Sequence, residues 1–293
     1  MVGLILDTDI GDDVDDAFAL AYAVRHPEIR LLAVTTVLGD VRWRAALALR
    51  LLDELGAAGV PVAAGCPGPW PASGPSPIAA SGDAVVSSGT EDPRMDPRHA
   101  VDLIPDAARA APIPVWLATI GPATNAAAAL RRRPELHGLL AGVAMMGGRN
   151  DPANPREHNF GLDPEAAAAV CNSGIQVKVG EYNVTSRSYL GEEDLSAIRA
   201  APGAGRSLEL MLRTYLERRS RERTSMYDPA ALSLVLGERF LKLDGRPFRA
   251  SLEGRLVKLR PAERPTRMRV AESIDVPAFR SELLDTIRGR RPA

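Results

Sequence analysis

Short apolar segments alternating with stretches of helical period constrain this chain more than any other feature. VGLILD (2–7), IRLLAVTTVLG (29–39), VPVAAG (60–65), PVWLATIG (114–121), LLAGVAMMGG (139–148) and IQVKVGEYNV (175–184) read as strands without a polar face. Between them DDAFALAYAVRHP, RWRAALALRLLDELG, PATNAAAALRRR and DPEAAAAVCNSG carry the spacing of helices, closed by Pro27, Gly56 and Gly174. A strand apolar on both sides must be covered on both sides, and strands separated by helices run parallel. The expected fold is therefore α/β: an open, mainly parallel sheet with helices on both faces. Past Asp228 the pattern changes. FRASLEGRLVKLRPAERPTRMRVAESID reads as short edge strands and VPAFRSELLDTIRG as a closing helix. No linker separates two cores, so residues 1–293 are expected to form a single domain.

Ligands of such sheets collect where strands end at their carboxyl side. What leaves the first strand is unusual: Asp7, Asp9, Asp12, Asp13, Asp15 and Asp16 fall within ten positions. Helix capping accounts for one or two of them. A calcium loop of the EF-hand kind needs glycine at its sixth position. Counted from Asp7 the glycine is fifth, and a strand precedes it. The remaining reading is a hard-cation site at a strand end, with Asp7 and Asp9 on alternate sides and Asp15 and Asp16 opening the next helix; Ca²⁺ takes about six to eight such oxygens. Two long polar stretches, 66–96 and 147–162, exceed plain connections and are expected near the active site.

Composition excludes other classes. A formal net charge of -1 gives no electrostatic case for nucleic acid or an anionic membrane. Arg131–Arg133 and ERRSRER (217–223) read as solvated helix faces. Two cysteines, Cys66 and Cys171, make neither a thiolate metal site nor a disulfide framework. There is no basic leader before the first strand and no run of about 20 apolar residues. The expectation is a cytoplasmic protein without a membrane segment.

At these residues the chain resembles the nucleoside hydrolases of the inosine-uridine preferring type. The resemblance rests on Asp7-Thr8-Asp9-Ile10-Gly11 followed by Asp15-Asp16-Ala17, then AVTTVLGD, IGPATN (120–125), MMGG (145–148), EHNFGLDPEAA (157–167) and YDPAA (227–231). It implies a nucleoside hydrolase fold with a Rossmann-like core. It implies Ca²⁺ bound by the carboxylates of Asp9, Asp16 and Asp228 and the backbone carbonyl of Ile120. Asp7 would orient these ligands from behind. Asp15, Glu157 and Asn159 would hold ribose hydroxyls, with Asp40 and Met146 in the same substrate set. His158 joins that set, a structural role for its ring being the alternative. The implied reaction is attack of an activated water on C1′ of a ribonucleoside with Asp9 as general base, giving ribose and a free base. A homodimer or homotetramer is implied as well.

The base end departs from the family pattern. Tyr227 stands where many members have histidine, and SGDAVVSSGTEDP and Asn183-Val184-Thr185-Ser186 lack the family's other histidines. His26, His99 and His137 are expected at the surface. Tyr227, Tyr182 or an arginine of ERRSRER remains to meet the leaving base, Tyr227 being the catalytic candidate carried forward; the identity of the base stays open. Two rivals remain. A nucleoside-binding pseudoenzyme would keep the pocket without turnover. A haloacid-dehalogenase-type phosphatase also begins with DxD, but Gly11 replaces its Thr or Val and Asp228 stands alone before Pro229.

Overall fold

β1 (Val2–Thr8) is buried along nearly its whole length because it lies between two parallel neighbours, β2 (Ile29–Thr36) on one side and β4 (Val115–Thr119) on the other. The computed structural model describes residues 1–68, 81–151 and 153–290. In chain order the further strands are β3 (Val62–Ala64), β4 (Val115–Thr119), β5 (Leu140–Met146), β6 (Val177–Gly180), β7 (Tyr189–Gly191), β8 (Arg223–Ser225), β9 (Leu241–Leu243), β10 (Phe248–Glu253), β11 (Leu256–Pro261) and β12 (Met268–Ile274). They build a 10-stranded sheet in the order β11-β10-β12-β6-β5-β4-β1-β2-β3, with β9 paired to β12 and a separate β7-β8 ribbon.

The seven strands from β12 to β3 run parallel. Two apolar cores fill the two faces of the sheet. One holds residues of α1 (Asp15–Arg25) and α2 (Val41–Glu54) and of the late helices Gly205–Arg219 and Val276–Ile287. The other holds residues of α3 (Ala100–Ala110), α4 (Thr124–Arg132) and the helix Pro164–Cys171, Cys171 included. The α/β class read from the apolar alternation is the class observed, because strands apolar on both sides leave no alternative to coverage on both faces.

Three expectations are corrected. β12 is not an edge strand: it pairs parallel with β6 through Met268, Arg269 and Val270, and the antiparallel β10–β11 hairpin lies outside it. The strand expected over 175–184 stops at Gly180. Glu181 then caps a helical turn, Tyr182–Thr185, by accepting the Asn183 N–H. His26 is 1% exposed rather than a surface residue. Its ring sits against Tyr22, and its Nε2 is 3.0 Å from Glu282 of the closing helix, which also accepts the Tyr22 hydroxyl. Among the described residues no helix is long and apolar enough to cross a membrane.

Candidate metal centre and active site

The chain winds from β1 outward through β2 and β3, then returns to place β4 on the other side of β1. Connections leave β1 and β4 in opposite directions, and the crevice between their carboxyl ends is where such sheets bind ligands. Asp9 follows β1 into this crevice and Ile120 follows β4. Their loops are in close contact: a Cβ on Gly121 would lie 2.7 Å from Asp9 Oδ1, so only glycine fits. Asp15 and Asp16 form the first turn of α1, at its positive end. Asp228 occupies the first turn of the helix Tyr227–Leu232, which packs against α1. Its N–H donates to Asp15 Oδ2 at 3.2 Å. Asp15, Asp16 and Asp228 each present an oxygen within 4.8 Å of the others.

These carboxylates are buried, and burial dominates their acidity. It raises Asp9 to about 6, with Asp12 adding repulsion against the pull of Arg44. Burial and then the charge of Asp13 push Asp15 up to about 8. Asp16 and Asp228 lie well above the usual carboxylate range, through burial and through one another's neighbours Asp9 and Asp15. Thr8 donates its hydroxyl to Asp16. The donor set consists of hard oxygens, and its mutual repulsion is what a divalent cation would relieve; the residues therefore fit Ca²⁺ or a similar ion. The Ile120 carbonyl already accepts Asn159 Nδ2 at 2.7 Å. A carbonyl has two lone pairs, so one remains for a cation.

Asp7 stands behind the cluster. Its Oδ1 accepts the Thr35 hydroxyl at 2.6 Å and Asn125 Nδ2 at 2.8 Å, and burial lifts its pKa to about 7. Asn125 also donates to the Thr36 carbonyl and accepts the Cys66 N–H, tying together the ends of β1, β2 and β3.

A cavity of about 750 Å³ opens over the cluster. Asp9, Asp15, Asp16, Asp228 and Ile120 line it together with Met146, Glu157, His158 and Asn159. Glu157 is held by three backbone donors, the N–H groups of Gly148, Asn159 and Phe160. Phe160 reaches the MMGG turn so closely that a Cβ on Gly147 (φ +156°) would lie 2.3 Å from its ring. Tyr182 and Tyr227 also line the cavity, with ring centres 5.6 Å apart and 23° between planes.

Not every expected residue is gathered there. Asp40 is absent from the cavity lining; its carboxylate accepts the Trp43 N–H at 3.0 Å and caps α2, which employs the side chain locally. ERRSRER is not one helical face. The helix ends at Arg219, Ser220 adopts φ 49°, and Arg223 opens β8. Of this run Arg219 lines the cavity. Part of the long loop read from 66 to 96 (residues 69–80) lies outside the described residues. Of the described remainder, Gly82 N–H and Ser81 Oγ both reach the Gly11 carbonyl of the aspartate loop.

Sequence reasoning missed Arg44. It is 1% exposed and donates to the carbonyls of Leu38, Asp9 and Ile10 and to Asp12 Oδ2, the last at 2.8 Å. The signal was present, because Arg44 shares its helical stripe with Leu47, Ala48 and Leu51, and a charge on an apolar stripe asks for buried partners. Arg44→Met leaves three carbonyls and a carboxylate without their donor. It is expected to lower the unfolding free energy by about 3 kcal/mol, read by urea denaturation. A loss under about 1 kcal/mol would mean that water replaces the guanidinium.

Comparison with known proteins gives the family and the fold. The family model described as inosine-uridine preferring nucleoside hydrolase matches residues 4–281. The chain is 35% identical over 211 residues to the pyrimidine-specific ribonucleoside hydrolase RihA of Shewanella sp. (strain MR-4), covering 68% of this chain and 64% of that relative's length. It is 32% identical over 302 residues to the non-specific ribonucleoside hydrolase RihC of Salmonella agona (strain SL483), covering 94% of each. The solved structure of a purine-preferring ribonucleoside hydrolase from Gardnerella vaginalis superposes with a TM-score of 0.84 at 25% identity, over 98% of both chains. The chain belongs to the inosine-uridine preferring nucleoside hydrolase family.

Proposed function

We propose that this protein hydrolyses the N-glycosidic bond of a ribonucleoside to ribose and a free base, with Ca²⁺ held by Asp9, Asp16, Asp228 and the Ile120 carbonyl. One observation carries the reading: buried carboxylates from the two ends of the chain meet at the switch point of the sheet, beneath a cavity. The relatives, pyrimidine-specific, non-specific and purine-preferring, support the ribonucleoside and leave its base open.

When bound, the cation supplies polarisation of a water molecule and a grip on the vicinal hydroxyls of ribose. Asp9 takes the water's proton on its carboxylate as the oxygen approaches C1′. Asp15 and Glu157 accept hydrogen bonds from the ribose hydroxyls. Asn159, whose Nδ2 is spent on the Ile120 and Met146 carbonyls, offers its Oδ1 to the same hydroxyls. As the C1′–N bond breaks, positive charge grows on the sugar ring, and the surrounding carboxylates stabilise it. The electron pair goes to the base. The Tyr227 hydroxyl, protonated at neutral pH as any phenol is and pushed further up by burial, donates a hydrogen bond there. Asp7, pinned by Thr35 and Asn125, keeps Asp9 and its loop in register.

The test is a panel of purine, pyrimidine and modified ribonucleosides, nicotinamide riboside among them, incubated with the protein and CaCl₂. Release of reducing sugar without phosphate release is the expected result. Saturable nucleoside binding with no ribose formed across the whole panel would replace the hydrolase by a binding module.

A further inference from the structure

The cavity carries charge of both signs. Its carboxylates are accounted for above, whereas Arg149, Arg156 and Arg219 line it without a part in those steps. Arg219 has an acidic neighbour, Asp13 at 3.9 Å, and lies over the Tyr215 ring. Among the described residues Arg149 and Arg156 have no carboxylate within ion-pair distance. Arg149 is the more constrained of the two. It is half-buried, its guanidinium carbon lies 4.6 Å from the Tyr182 ring centre, and its Nε donates to Asn183 Oδ1 at 3.1 Å. Glu181 feels this charge, but its Oε2 is engaged by the N–H groups of Asn150 and Asn183.

Tyr182 stacks in turn on Tyr227, the residue next to Asp228. A row of flat groups therefore leads away from the carboxylates: Tyr227, Tyr182, then a guanidinium whose Nη atoms have no hydrogen-bond partner among the described residues. Tyrosine faces accept a flat heterocycle. A stacked guanidinium fixed through Nε offers a preorganised fork to oxygens on such a ring, and it favours those that bear negative charge.

We propose that Arg149, seated on the Tyr182–Tyr227 pair, is the residue by which this site prefers ribonucleosides whose base is negatively charged. The proposal rests on the ribonucleoside reading above and adds the charge class of the base.

Xanthosine and inosine test it, because they share sugar and purine frame while the xanthine ring ionises near neutral pH and the hypoxanthine ring does not. With calcium present at pH 7.5, the xanthosine-to-inosine ratio of kcat/KM is expected to be about tenfold, the size of a charge-assisted contact, and to be carried by KM rather than kcat. Arg149→Met brings the ratio close to one, and Arg149→Lys, which keeps the charge but not the fork, retains part of it. A ratio at or below one in the parent protein, or a ratio that Arg149→Met leaves unchanged, overturns the proposal. If neither nucleoside releases ribose, the ratio of dissociation constants from calorimetry decides the charge preference by the same criteria, and the full ribonucleoside panel decides the hydrolase reading separately. Since each variant is judged by a ratio of two ligands, a general loss of folded protein cancels.

Discussion

Replacing Asp9 by asparagine is expected to lower kcat for ribose release by roughly 10²–10⁴-fold, the scale of a lost general base. The substitution keeps the shape of the side chain and removes only its ability to take a proton and its charge. The surrounding contacts should survive, because the Arg44 bonds go to the Asp9 and Ile10 backbone carbonyls rather than to the Asp9 carboxylate. The same change removes one of several mutually repelling buried charges, and Asp9 is among the groups that raise Asp16 and Asp228. Without a cation, Asp9→Asn should therefore melt at or above the temperature of the parent. Steady-state kinetics and thermal melts in chelator read the two effects separately. Turnover within tenfold of the parent would remove Asp9 from the base role. A lower melting temperature in chelator would show that its carboxylate stabilises the empty fold.

Stripping calcium should abolish turnover and lower the melting temperature, and the melting temperature should fall further as the pH rises. In the cation-free fold Asp9 is raised to about 6 and Asp15 to about 8, against 3.8 for a free carboxyl. Between 3.8 and those higher values the folded chain holds protons that the unfolded chain has released. Raising the pH through that window therefore favours unfolding. Below the window both states are protonated and the groups contribute nothing. Above it the whole repulsion is felt. Calcium reverses the trend, since it lets the carboxylates ionise against a dipositive neighbour. Ion at a hundredfold excess over its dissociation constant adds about 2.7 kcal/mol. Thermal melts at pH 5, 6.5 and 8, each in chelator and in CaCl₂, check the sign. A chelator profile that stays flat or rises across this range, or full turnover after exhaustive chelation, would contradict the metal centre.

Strand β1 and its aspartates were legible because their signals are local: six apolar or small residues in sequence, then a density of like charge that no helix or strand tolerates for its own sake. Asp228 was legible through the resemblance of YDPAA to a family motif, and its place beside Asp15 depends on a helix packing across α1. Asp40 shows the opposite case. Its motif, AVTTVLGD, marks a strand end at the site, yet the carboxylate turns to the Trp43 N–H at the start of α2. His26 shows another: its helical position looks exposed until the closing helix brings Glu282 to it.

The sequence by itself determined the fold class, the aspartate cluster and the family, because periodicity, polarity and charge density are properties of contiguous residues. Only the tertiary structure decided that Arg44 braces the Asp9 loop, that Asp40 serves its own helix, and that Arg149, Tyr182 and Tyr227 form one stacked wall. Each of these depends on which segments distant in the chain pack together, and burial gives such contacts their strength by removing the water that would otherwise satisfy the same groups.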